Sequence, residues 1–151
     1  MANTQAMCTS FKSEILTGTH NFGVAPTRGS TAADSFKAAL YLASATVNAT
    51  TTAYSVTNEV TGTNYTAGGV AVTNATVPTT SGTTAYWTPS ASITYTNVTL
   101  STAFDAVLIY NSTQSNKAVS VHTFGSQTVT AGTFSLTMPT NGAGTALLNI
   151  A

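Results

Sequence analysis

The chain has 151 residues, of which four are Lys or Arg and four are Asp or Glu, so it carries no net charge and only 5% of its residues are charged. An ordinary globular domain is about a quarter charged. That scarcity excludes counter-ion release on a nucleic acid and attraction to an anionic membrane as driving forces. Thr supplies about a fifth of the sequence and is a β-branched residue suited to pleated, half-buried surfaces. A chain of this length fits one domain, and a compact fold of this size buries about 70% of the surface of its unfolded chain. A net charge of zero gives no colloidal repulsion, so an oligomer or lattice component is expected.

In chain order, residues 1–35 read as an N-terminal helix or arm. Thr9 to Thr19 has a helical pattern, with Phe11, Ile15 and Leu16 on one face, Thr9 or Ser10 placed to cap, and Glu14 close behind. Gly23 to Ala33, with Pro26 and Gly29, reads as an extended arm or loop. Five of the eight charges lie in the first 37 residues, which sets this segment apart as one that contacts a partner chain. The opening MANTQAMCTSFKSEIL lacks the basic and continuous apolar regions of a secretory signal, so folding in a cytoplasm is expected. No later stretch approaches the ~18 apolar residues of a membrane-spanning helix.

From Phe36 onward the period is two, and residues 36–151 read as a β domain. Phe36 to Leu42 is apolar on both faces and belongs inside a sheet. Tyr54 and Val56 start a second strand, TGTNYTAGG (61–69) is dense in turn formers, and Val70 and Val72 mark a third. Ala85 to Leu100 changes parity between Tyr95 and Val98, which predicts a bulge. FDAVLIY (104–110) is the most hydrophobic run and reads as a central strand. AVSVHTF (118–124) pairs back across it as a hairpin. Gly125 and Ser126 then read as a turn into Gln127 to Met138, and ALLNIA (146–151) ends the chain as a strand. About eight short strands between Gly, Pro, Asn and Thr turns predict an all-β fold, an antiparallel sandwich or jelly roll.

The residues offer little to catalysis. Glu14, Asp34, Glu59 and Asp105 are scattered, with no paired-carboxylate motif. Asp105 is expected to be held by backbone N–H groups at a strand edge, and Glu59 to be structural. His20 and His122 sit in no nucleophile, zinc or phosphate-binding motif, and His122 reads as a sheet-surface residue. Cys8 has no partner for a disulfide and reads as a free thiol near a mobile terminus. No catalytic, metal or cofactor site is expected. The five Asn-x-Thr triplets are discounted in a chain so rich in Thr. The Thr-x-Thr pairs (61/63, 94/96, 128/130) are too scattered for an ice-matching array. Tyr65, Tyr86 and Trp87 are candidates for stacking on sugar rings, against a plainer reading as core or interface aromatics.

The segments ANTQAMCTSFKSEIL, FKAALYLASA, TTAYSVTNEVTGTNYTAGGV and VTAGTFSLTMPTNGAGTALLNIA resemble a family of small virion proteins of tailed bacteriophages, over nearly the full length. TNYTAGG and TFSLTMP carry most of the likeness. What the resemblance implies is a capsid decoration, or cement, protein. Such a protein is made in the host cytoplasm, sits on the exterior of the virion, binds the major capsid protein and itself as a homo-oligomer, a trimer by preference, and engages neither nucleic acid nor membrane. Phe11, Ile15, Leu16 and Phe22 are then the expected capsid or neighbour contacts. The alternative is a host-adhesion or receptor-binding module of a tail, neck or head fibre, holding surface glycans through Tyr65, Tyr86 and Trp87.

Overall fold

The computed structural model describes residues 2–16, 18–22, 33–74 and 76–151, apart from the side chains of Lys12, Ser13 and Leu16. The Gly23 to Ala33 arm of the sequence reading lies, up to residue 32, outside the described residues. The fold is all-β and sandwich-like, with two antiparallel sheets and one short helix. In chain order the elements are β1 (Ala6–Met7), α1 (Thr9–Leu16), β2 (Phe36–Leu42), β3 (Val70–Ala71), β4 (Thr79–Ser81), β5 (Thr84–Trp87), β6 (Ile93–Asn111), β7 (Lys117–Leu136) and β8 (Leu148–Ile150). The larger sheet has the order β1-β7-β6-β2-β3, the smaller β4-β5-β8.

Phe104 to Tyr110 is central, as its hydrophobicity predicts, because β6 is flanked by β2 and β7 and both its faces are covered there. The polar turn at 112–116 closes the β6–β7 hairpin, and the bulge predicted between Tyr95 and Val98 is present, with Asn97 at φ 53°. The strands are longer than the sequence suggested. Ala85 to Leu100 is split between β5 and β6, while β6 runs on without a break through Leu100 into Phe104. Gly125 and Ser126 form no turn, since β7 continues through them and pairs with β6 as far as Ile93↔Leu136.

A straight strand from Ile93 to Ile109 would span about 50 Å. Yet Ile93, Ile109, His122 and Leu136 line one cavity, and the Tyr95 hydroxyl donates to the Ala38 carbonyl of β2 at 2.8 Å. The hairpin is therefore bent back over its own base. The corner lies where the pairing slips, between Leu100↔Val129, Phe104↔Gln127 and Ala106↔Thr123. Phe104, Phe124 and Phe134 fill its inside, with Phe104 and Phe134 edge to face at 5.0 Å between centroids. The hairpin thus folds the larger sheet over on itself, and the core sits inside that fold, around Leu40, Tyr95, Leu100, Phe104 and Leu108, all at most 2% exposed.

Tyr54 and Val56 start no strand. Between β2 and β3 the chain makes only isolated bridges, at Tyr41–Glu59, Ala53–Lys117 and Thr63–Thr99, and Val56 is 64% exposed. This long loop closes on β2 through Gly69, whose φ of +68° and approach to the Ala38 carbonyl leave no room for a side chain.

Candidate contact surfaces and buried polar clusters

The N-terminal segment is built into the domain. Backbone bonds tie Thr4 to Val47, Cys8 to Val119 and Thr9 to Ala49, and β1 pairs with β7 through Ala6↔Val121. The helix α1 ends one turn earlier than the sequence suggested. Gly18, at φ 66°, donates to the Ile15 carbonyl and Thr19 to that of Glu14, a left-handed closure typical of helix C-termini. Phe11 is 1% exposed in the core, and Phe22 stacks on Phe36 at 4.4 Å and meets Trp87 at 4.7 Å. Phe11 is thus no free contact residue, Ile15 and Phe22 are half-buried against their own domain, and the Leu16 side chain lies outside the described residues. Burial of these aromatics on their own sheets outweighs presenting them to a partner. Cys8 is also fully buried, not loose near a terminus, and burial pushes its thiol pKa up to about 11.

Glu14 and Asp34 of this segment belong to a part-buried polar network with His20, Asn111 and Lys117. Glu14 accepts from Lys117 Nζ at 2.6 Å through Oε1 and from His20 Nε2 at 2.7 Å through Oε2. With Nε2 as donor, His20 Nδ1 accepts from Asn111 Nδ2 at 3.1 Å, and Asn111 Nδ2 also donates to Asp34 Oδ2 at 2.8 Å. Asn111 Oδ1 takes the amides of Thr113 and Gln114, so the amide group is used on both sides. Burial holds His20 below its usual pKa against the pull of Glu14. Burial opposes ionisation of Glu14 too, but the Lys117 and His20 bonds prevail and keep it below the usual carboxylate range. The cluster pins α1 to the β6–β7 turn.

Glu59, 4% exposed, is the hub of the long loop. It accepts from Tyr54 Oη at 2.6 Å, Tyr65 Oη at 2.7 Å and Gly68 N at 2.8 Å. Burial and the bond to Glu59 raise the pKa of both phenols. Asp105 departs from the backbone-held picture, since its carboxylate accepts from the Asn3 amide, which also bonds the Leu42 carbonyl. All four carboxylates are thus engaged within the fold.

The sugar-stacking candidates are not gathered on one surface. Trp87 is 2% exposed and its indole N–H donates to Asn74 Oδ1 and to the Thr76 carbonyl, both at 3.0 Å, so its face is unavailable to a ring. Tyr65 stacks on Tyr95 at 5.9 Å while its hydroxyl bonds Glu59 and the Leu40 amide. Tyr86 is half-buried and lines a cavity of about 170 Å³ between α1 and the small sheet, with Phe11, Phe22, Trp87 and Ile150.

What the molecule does expose is the outer face of the folded-over hairpin: Thr94, Thr96, Thr128, Thr130, Thr133 and Ser135. Thr94 and Ser135, directly paired across β6 and β7, share a 3.0 Å hydroxyl bond. No charged residue occurs in 93–104 or 124–138. The alternation of Thr with Tyr, Phe and Leu signalled this face, but the bend that turns it outward left no motif. Comparison of the chain with protein-family models, with curated proteins and with solved structures returns no match.

Proposed function

We propose that this chain is a non-enzymatic structural protein of a bacteriophage virion: a decoration, or cement, protein that assembles as a homo-oligomer on the outside of the shell and holds the major capsid protein. The observation that carries this reading is the division of the polar groups. The carboxylates are spent inside the fold on Lys117, His20, Asn3, Asn111 and the tyrosines, while the exposed hairpin face offers hydroxyls and no charge. A surface of that kind adheres through shape, hydrogen bonds and apolar area, and is insensitive to the ionic strength that screens exposed ion pairs. Many identical copies on a symmetric shell turn a modest single-site affinity into firm attachment. The resemblance to small virion proteins supplies the setting, with synthesis in the host cytoplasm and trimers at local threefold positions. Binding then rests on the hairpin face and not on Phe11 or Phe22.

The test is Thr96→Arg combined with Thr133→Arg, which places two unpaired cations on the exposed face without touching the core. The doubly substituted protein is expected to fold, with unchanged circular dichroism and melting temperature, and to lose binding to undecorated shells in a sedimentation assay. Undiminished binding overturns the assignment of the face, and failure of the unaltered protein to bind shells overturns the function.

A further inference from the structure

Where the folded-over half of the hairpin lies on its base, the layers do not close. They leave a half-enclosed cavity of about 130 Å³ lined by Ile93, Val107, Ile109, Phe124, Leu136 and Met138, with the His122 imidazole in its wall. The lining is aliphatic and aromatic apart from that ring and two threonines, Thr123 and Thr137. A pocket of this volume has room for a molecule of about the size of benzene, and it is well below the 300–1,000 Å³ typical of drug-sized ligands.

His122 is the residue that packing does not account for. It occupies β7 opposite Val107, where a Leu or Phe would fill the gap. Its Nε2 is joined to Ser120 Oγ at 2.9 Å, and Nδ1 has no hydrogen-bond partner among the described residues. Burial pushes its pKa down to about 4, so at neutral pH the ring is uncharged and tolerable in apolar surroundings. A neutral imidazole with one nitrogen committed offers a polar handle in a mostly apolar pocket, beside the two threonines.

We propose that this cavity is a binding site for a small uncharged molecule of one ring's size bearing one hydroxyl group, the ring held by Ile93, Ile109 and Leu136 and the hydroxyl by His122. A carboxylate or ammonium is excluded because no charged residue lines the cavity to pair with it. The site is independent of shell binding.

Phenol and benzene are suitable probes, followed through methyl resonances of the lining residues and the ring nitrogens of His122. Phenol is expected to shift Ile93, Ile109 and Leu136 saturably, to move the Nδ1 signal, and to bind about tenfold more tightly than benzene, the worth of one added hydrogen bond. His122→Phe fills the space and removes the nitrogen, and should abolish binding. Should that variant not fold, Leu136→Phe should block the cavity with the imidazole intact. Absence of saturable shifts at the lining methyls, equal affinity for phenol and benzene, or undiminished phenol binding in the filled variant overturns the proposal.

Discussion

Replacing Glu59 with Ala strips acceptors from two tyrosine hydroxyls and the Gly68 amide at once, in a site that water does not reach freely. Orphaning buried donors is costlier than losing the bonds themselves, so Glu59→Ala should destabilise by roughly 2–4 kcal/mol in a urea melt. Ala131 makes the opposite case. It sits at φ 44° in β7 and donates its amide to Thr99 Oγ1, a left-handed conformation that a Cβ resists. Ala131→Gly should therefore leave stability unchanged or raise it by about 1 kcal/mol, although glycine normally weakens a strand. Neither residue announced its role in the sequence. Glu59 reads as one acid among turn formers, and the tyrosines that surround it come together only when the loop folds back.

At the scale of elements, the sequence shows where the strands lie better than how they join. The alternation of Phe134, Leu136 and Met138 with Thr and Ser, and the apolar run through Tyr110, locate strand segments correctly. The breaks read at Leu100–Phe104 and at Gly125–Ser126 are one feature, the inner corner of a single bent hairpin. Small and polar residues relax pairing whether the chain turns around or a strand merely bends, so local composition does not separate the two. Phe11 reads as a contact residue and is buried in its own domain for a related reason: an amphipathic helix shows that one face is buried but not against what. At Gly69, the point where the long loop meets β2, a Cβ would lie 1.7 Å from the Ala38 carbonyl. Gly69→Ala should cost more than about 2 kcal/mol and detach the loop, seen as loss of amide protection at Val60, which donates to the Leu40 carbonyl.

For the whole molecule, scarcity of charge makes pH dependence the work of a few groups. Glu14 is held below its ordinary pKa, so its contribution is present at neutral pH and is lost as pH falls through that lowered value. His20 and His122 are also depressed. Between about 6.5 and about 4 the unfolded chain takes up a proton at His122 that the folded chain refuses, so stability falls as pH falls across that window, and His20 acts in the same direction below about 6.5. His122 alone should account for roughly 2–3 kcal/mol of the loss. Urea melts at neutral pH and at the acid end of the window measure it, and His122→Phe should flatten the curve.

The scale above the molecule is the particle. A neutral chain whose acids are all spent internally is suited to contact with neighbours, and the proposed place of that contact is the outer surface of a shell. A density map of the intact virion, with the protein quantified in the same preparation, tests this most directly. The account predicts this fold in regular array on the capsid exterior, in copy number matching the capsomers and with its threonine face against a neighbour. Density confined to a tail or fibre, or absence of the protein from purified particles, would contradict it.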